Sequence, residues 1–158
     1  MSDDILSLLE AYWRSKCQDG RLPSRQDIDP AEIRRLLAHI ALIDVAMDGD
    51  GFRFRLVGTK VVQQLSYDPT GQDVTEGPGT GKGSPFWDFL TAIATDLKPG
   101  SIELPYFGNN VSFGSIRIVG FPLLTDGVID KVLLGFSFAG ATEMHELKRW
   151  IRQSKNVI

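Results

Sequence analysis

One loop in this sequence has the glycines and the lysine that a phosphate-binding loop would need. Residues 76–84 read Glu-Gly-Pro-Gly-Thr-Gly-Lys-Gly-Ser, and phosphate-binding loops end in Gly-Lys followed by serine or threonine. The sequence does not match the motif, because Glu76 stands where the first glycine should be, and Gly83 stands where serine or threonine should follow Lys82. A carboxylate at that point would repel phosphate from the backbone amides. We therefore predict a mobile surface loop and no nucleotide site.

The other reactive residue types do not form a catalytic or metal-binding group. His39 and His145 are the two histidines, and each is expected to be a polar residue at the boundary of a structural element. The single cysteine, Cys17, falls in a helical pattern and is interpreted as a small apolar filler. Paired carboxylates such as Asp48 and Asp50 lie in turn sequences, where turn preference explains them. We predict that the chain is not an enzyme.

Composition narrows the classes of partner. The 158 residues are 42% hydrophobic and 23% charged, which is typical of a folded domain and not of a disordered chain. A net charge of −3 gives no basic field for nucleic acid or anionic membranes. Neither a signal-peptide pattern nor an apolar run of about 20 residues is present, so we expect a cytoplasmic protein without a membrane partner.

The first half of the chain predicts two helices and then a hairpin. Residues 4–17 repeat apolar side chains every three or four positions, as an amphipathic helix does. Asp29 as N-cap and Pro30 at the first turn predict a second helix. Strands are expected at residues 40–47 and 52–57, since a turn sequence rich in Asp and Gly joins them. The buried face of the second helix should carry Ile33, Leu36 and Leu37.

The second half predicts two more helices, three strands and a final helix. The helices are expected at residues 59–65 and 85–97, and the last at residues 143–155. The strands are expected at residues 101–107, 111–124 and 129–139. Because strands and helices do not alternate regularly, the order favours one five-stranded antiparallel sheet in an α+β fold.

Five short segments give the sequence a family resemblance. They are residues 11–14 (AYWR), 20–25 (GRLPSR), 27–30 (DIDP), 52–59 (FRFRLVGT) and 68–71 (DPTG). Together with the element order, they resemble stand-alone PAS domain proteins of bacteria, of the alphaproteobacterial type. The resemblance implies a PAS-like five-stranded antiparallel sheet with the middle helices on one face and flanking helices at both termini. It also implies a helical flank at residues 1–36, a PAS core at 37–141 and a C-terminal helix at 142–158.

The resemblance implies a sensory or protein-interaction role and transfers no catalytic residue. Haem-binding PAS domains use a histidine on the helix that corresponds to residues 85–97, and no histidine stands there. Flavin photoreceptors of this fold use a cysteine on a central helix, whereas Cys17 precedes the core. We expect neither haem nor flavin, and the ligand, if any, stays unknown.

A ligand pocket is expected between the sheet and its helices. Apolar side chains would line it, and a few polar groups would orient the ligand. The alternative is that the same side chains fill a dry core. The candidates are Phe54, Leu56, Trp87, Leu90, Ile93, Tyr106, Ser115, Arg117, Phe136 and Phe138, together with the neighbouring Ile102, Leu104, Ile116 and Ile118.

The flanking helices are more apolar than isolated helices would be, which favours a homodimer built from them. The interface candidates are Tyr12, Trp13, Leu147, Trp150 and Ile151. Arg53 and Arg55 share one strand face, which is either solvated or covered, with the arginines then pairing acids such as Glu10 or Asp44.

These patterns favour a regulatory module that binds a small ligand or a protein and signals to a separate output protein. A ligand-free interaction adaptor is the main alternative, and a small enzyme is a third. No kinase, cyclase or DNA-binding segment is recognisable, so output in trans is expected.

Overall fold

The computed structural model describes residues 2–48, 50–105 and 113–140. Within them, five antiparallel strands form one sheet in the order β2-β1-β5-β4-β3, which confirms the predicted α+β architecture. The predicted C-terminal helix lies outside the described residues. The helices are α1 (Ser2–Lys16), α2 (Thr59–Leu65) and α3 (Pro85–Asp96). The strands are β1 (Ile40–Val45), β2 (Phe52–Val57), β3 (Gly100–Pro105), β4 (Phe113–Thr125) and β5 (Val128–Gly140).

The predicted second helix is wrong, because this segment forms two short 3-10 helices, Pro30–Ile33 and Leu37–His39. Its start is as expected, since the Asp29 side chain accepts a hydrogen bond from the N–H of Ala31 at 3.0 Å. Ile33 and Leu36 are buried three residues apart, which matches the three-residue turn of a 3-10 helix. Leu37, the third residue assigned to the buried face, is only partly buried.

Local sequence signals set the ends of α3. Ser84 caps its first turn by accepting a hydrogen bond from the N–H of Trp87 at 3.2 Å, and Pro85 occupies the first helical position. The helix ends at Leu97, whose φ of 54° lies in the left-handed region. All three aromatic side chains of α3, Phe86, Trp87 and Phe89, are buried in the cluster beneath it.

The sheet is covered on both faces by separate hydrophobic clusters. We call the face towards α2 and α3 the inner face and the face towards α1 the outer face. Leu9, Trp13 and Phe121 belong to the outer cluster. Phe54, Leu90 and the side chains around them belong to the inner cluster.

Helix α1 packs very close to the outer face at Gly135 of β5. A Cβ atom added at Gly135 would lie 2.7 Å from Leu9 Cδ2, closer than nonbonded carbon atoms approach. Leu6 and Leu9 of α1 are both buried. A side chain at this position would therefore force Leu9 to move, which explains glycine here by the approach of the helix and not by an unusual φ.

In the part of the chain that the structure describes, no helix is both long and apolar enough to span a bilayer.

Candidate functional site

The candidate site is the interior between the inner face of the sheet and α3. The structure brings together six of the predicted pocket residues on this side. Leu90 and Ile93 of α3 are almost completely buried, at 0% and 2% exposure. The others are Phe54, Trp87, Phe136 and Phe138, of which Phe138 is only partly buried.

Aromatic rings form the centre of this interior. Phe52 and Trp87 meet edge to face with their centroids 4.9 Å apart, and Phe54 stacks on Phe86 at 6.4 Å. At the other end, Phe136 lies 6.2 Å from Phe138 on the same strand. Such contacts are worth about 0.5–1.5 kcal/mol each beyond the area they bury. The rings therefore give the interior a defined shape.

Four neighbouring candidates also lie on the inner side. Ile116 and Ile118 of β4 are buried there, and Ile102 and Leu104 of the adjacent β3 pack against them while partly exposed. This arrangement follows from the register, in which Ile102 faces Ile118 and Leu104 faces Ile116.

The pocket prediction omitted several residues that line the interior. Phe52 had a clear signal, because it alternates with Phe54 along β2. Phe86 and Phe89 carried the three-residue spacing of a buried helix face. Val61 and Val74 gave no signal, since only tertiary packing brings their short segments over the sheet.

Leu56 does not reach the interior, although it continues the alternation of Phe52 and Phe54. Its side chain is 53% exposed. The reason is a β-bulge: Leu42 faces Leu56 while Ile43 faces Phe54, so that Arg55 is an extra residue in β2. An extra residue reverses which face the following side chains occupy.

The two described polar candidates are also absent from the interior. Ser115 and Arg117 flank Ile116 on β4, and alternation places them on the outer side. Arg117 is exposed and its Nη2 lies 3.8 Å from Glu103 Oε2, whereas Ser115 is buried. Tyr106 lies outside the described residues. The buried polar residues among those described are Ser115 and Ser137, and Ser137 pairs with Arg117 across the strands, so both lie on the outer side.

Residues 76–84 close over the start of α3. The ammonium group of Lys82 lies 5.9 Å from the ring centroid of Trp87 and 3.6 Å from Asp50 Oδ2 on the β1–β2 hairpin. The hydroxyl of Thr80 donates to the carbonyl of Val74. Lys82, the lysine of the rejected phosphate-binding motif, thus contacts the Trp87 ring and the Asp50 carboxylate.

His39 and Cys17 lie away from the interior. His39 is at the entrance to β1, where partial burial lowers its pKa and the nearby Lys60 lowers it further. Cys17 packs against the outer cluster, and burial raises the pKa of its thiol. On that side of the sheet it cannot reach a molecule held under α3. His145 lies outside the described residues.

The predicted dimer residues of α1 are occupied within the chain. Trp13 is 2% exposed, stacks on Phe121 at 5.3 Å, and donates its indole N–H to the carbonyl of Pro122 at 3.1 Å. The hydroxyl of Tyr12 donates to Glu32 and accepts from the N–H of Asp29, both at 2.8 Å. Trp13 is therefore a core residue of the chain itself. The other three candidates, Leu147, Trp150 and Ile151, lie outside the described residues.

Neither suggested acid pairs with the arginines of β2. Arg53 is exposed and donates to the carbonyl of Gly71. Asp44 Oδ1 instead lies 2.9 Å from Lys131 Nζ, although without the geometry of a directed hydrogen bond. Glu10 bonds Arg14 at 3.0 Å.

Residues 2–48, 50–105 and 113–140 hold no group of three His, Cys, Asp or Glu side chains arranged to bind a metal ion.

Comparisons with known proteins agree with this architecture. A family model described as a PAS domain matches residues 1–77. The PAS domain of BvgS from Bordetella pertussis has a TM-score of 0.51 at 16% identity, over 83% of this chain and 100% of that one. A light-oxygen-voltage domain studied with a flavin analogue has a TM-score of 0.53 at 10% identity, over 81% of this chain and 94% of that one. Among curated proteins, none matches significantly.

The strand order, the position of α3 across the inner face and these likenesses show that this chain has a PAS-like fold, and its first 77 residues match the PAS family model.

Proposed function

We propose that this chain is a sensory or regulatory PAS module that holds a small, mainly apolar molecule between α3 and the sheet. It does not catalyse a reaction. In this proposal, binding changes how the chain associates with a second copy and with a separate output protein, since a ligand shifts a population towards the state it binds best.

The observation that carries the proposal is the aromatic interior itself. Rings from β2, α3 and β5 all belong to the inner cluster, and ligand pockets in proteins are mostly lined by such side chains. The apolar character of the described inner cluster sets the ligand class. A strongly polar or charged ligand would leave its own groups without hydrogen-bond partners at a cost of several kcal/mol (roughly 2–7).

Native mass spectrometry of the purified protein tests this. We expect the native protein to have a mass above that of the polypeptide. Denaturation should release the difference as an apolar small molecule. A polypeptide mass alone, with no rise in melting temperature across a panel of fatty acids, aromatic metabolites and flavins, would overturn the ligand proposal.

A matched pair of variants locates any retained molecule. Leu90→Phe adds bulk to the interior, and Leu133→Phe adds the same bulk to the outer cluster, where Leu133 is equally buried. Both should cost about 1–3 kcal/mol through overpacking. Only Leu90→Phe should lose the extra mass, and equal retention in both variants would place the molecule elsewhere.

A ligand-free interaction adaptor is the second candidate. The contact between Phe52 and Trp87 at 4.9 Å favours it, because these rings already fill space for one another. In that case the interior is a dry core, and Leu90→Phe changes stability without changing the mass of the native protein.

A further inference from the structure

The two edge strands of the sheet, β2 and β3, differ in whether other backbone groups pair with their outer sides. The β2 edge is covered, because the N–H of Phe54 donates to the carbonyl of Gln72 at 3.0 Å and the N–H of Gly71 donates to the carbonyl of Phe54 at 2.7 Å. At the opposite edge, β3 pairs with β4 on one side, and none of the described residues pairs with its other side. An uncovered edge strand is a template for another strand.

An open cleft lies on each side of β3. On the inner side, a cleft of about 460 Å³ runs between α3 and β3, with Phe89 and Ile93 in its wall. On the outer side, a cleft of about 540 Å³ runs between α1 and the β3–β4 pair, with Leu6 and Val119 in its wall. Ser101 and Ile102 of β3 line both clefts.

From this arrangement we propose that the β3 edge binds an extended peptide segment of a partner protein as a sixth strand. Successive side chains of a strand point to opposite faces, so an added strand would place alternate side chains in the two clefts. Main-chain hydrogen bonds would give affinity and the clefts would give selectivity, as in other cases of strand addition.

Charge determines the chemistry of the partner segment. More acidic than basic side chains line the two clefts. Glu10 and Glu103 already lie near Arg14 and Arg117, so the remaining acidic charge is that of Asp88 and Asp96 against Lys98 in the inner cleft. The acidic residues lining the clefts are Asp88, Asp96, Glu10 and Glu103, against Lys98 and Arg117. The cleft walls are also partly apolar. The partner segment therefore combines lysine or arginine with small apolar residues.

A second copy of the chain fits this edge less well. Pairing β3 with the β3 of another copy would bring two acidic edges together, and like charges across an interface are unfavourable. Strand β2 has the suitable alternation of apolar and basic residues, but Gln72 and its neighbours cover its edge. The proposal concerns a surface separate from the aromatic interior and holds whether or not that interior contains a ligand.

Fluorescence anisotropy with a labelled peptide tests the proposal on the full chain. The probe is Lys-Val-Lys-Thr-Val-Lys, which places at least one lysine and one valine on each face of an added strand. We expect saturable binding that weakens with salt. The same peptide with glutamate in place of lysine should bind at least tenfold more weakly. Saturation by neither peptide up to about 1 mM would overturn the proposal, as would equal binding of both.

Two N-methylated peptides separate strand addition from simple charge attraction. One lacks the N–H at its odd positions and the other at its even positions. Only the peptide whose blocked N–H groups face β3 should lose binding, because successive N–H groups point to opposite edges of a strand. Undiminished binding of both methylated peptides would overturn strand addition.

Charge variants place the binding surface. The double variant Asp88→Asn, Asp96→Asn should weaken binding about fivefold, since each exposed charge pair contributes modestly. Its control is Asp19→Asn with Gln63→Lys, which raises the net charge equally at sites that line neither cleft. Equal weakening by both would refute the location. Sedimentation velocity completes the test, because a dimer that the peptide dissociates would show that a second copy occupies the edge and would overturn the partner assignment.

Discussion

At the scale of single residues, the outer cluster contains a buried polar contact. The indole N–H of Trp13 donates to the carbonyl of Pro122 at 3.1 Å, within a site where Trp13 is 2% exposed. This side chain connects α1 to β4 by a hydrogen bond and a ring stack at once. Helix α1 therefore packs as part of the folded domain.

Replacing Trp13 with phenylalanine should lower the free energy of unfolding by about 1–3 kcal/mol, because the buried carbonyl of Pro122 loses its donor. Urea denaturation measures this loss. Tyr12→Phe is the control, since its hydroxyl is in an exposed network and should matter less. If Trp13→Phe left stability unchanged and altered self-association instead, Trp13 would be an interface residue after all.

A second residue-scale prediction concerns Gly58, where the chain leaves β2. A Cβ atom there would lie 2.4 Å from the carbonyl oxygen of Leu37 and 2.5 Å from that of Ala38. Backbone atoms cannot swing away as a side chain can, so Gly58→Ala should destabilise the fold by about 1–3 kcal/mol or more. Gly81→Ala is the control, because its nearest neighbour is 4.0 Å away. Equal melting temperatures for the two variants would contradict the close approach.

At the scale of elements, the bulge at Arg55 determines which side chains of β2 reach the interior. Phe54 precedes the bulge and is 8% exposed, whereas Leu56 follows it and is 53% exposed. Sequence alternation alone gives these two residues the same role. The structure gives them opposite roles.

Serine substitutions distinguish the two positions. Phe54→Ser should cost about 3–5 kcal/mol, because it removes a buried aromatic ring. Leu56→Ser should stay within about 0.5 kcal/mol, as surface substitutions usually do. Thermal and urea denaturation measure both. A large loss for Leu56→Ser would mean that β2 is not bulged and that Leu56 reaches the interior as the alternation suggests.

The sequence predicted the order of the five strands and of α1, α2 and α3, with most of their boundaries, because local signals are strong in these segments. The Asp126-Gly127 turn, with φ of 52° and 79°, and the Ser84-Pro85 cap of α3 are examples. It could not assign the faces of β4. That strand is covered on both sides, so the alternation of apolar and polar residues that marks a half-exposed strand is lost. Ser115 and Arg117 were assigned to the interior for this reason.

At the scale of the whole molecule, one sheet separates two hydrophobic clusters that share its strands. Leu133 belongs to the outer cluster and Leu134 to the inner cluster, although they are neighbours on β5. Adjacent residues of β5 therefore pack in opposite clusters. Strand β5 therefore packs against the inner cluster on one face and against α1, at Gly135, on the other.

At the scale of the whole molecule, four groups with lowered pKa values should each reduce the stability of the fold on acidification. Hydrogen bonds from Lys16 and then Tyr12 lower the pKa of Glu32, and bonds from Thr70 and Thr75 lower the pKa values of Asp68 and Asp73, respectively. Burial, with a smaller effect of Lys60, lowers the pKa of His39. Each group thus contributes stability that is present above its unfolded pKa and is lost as the pH falls through its folded pKa.

Stability should therefore decline in two stages on acidification. The first begins below pH 6.5, the ordinary value for His39, and the second below about pH 4.5, the ordinary value for Glu32, continuing past 3.8 for the two aspartates. His39→Asn should flatten the first stage and leave the second, while Asp73→Asn should reduce the second and leave the first. Melting temperatures from pH 3 to pH 8 measure both stages. A melting temperature that rises between pH 7 and pH 5 would reverse the sign assigned to His39, because a charged imidazole would then stabilise the fold.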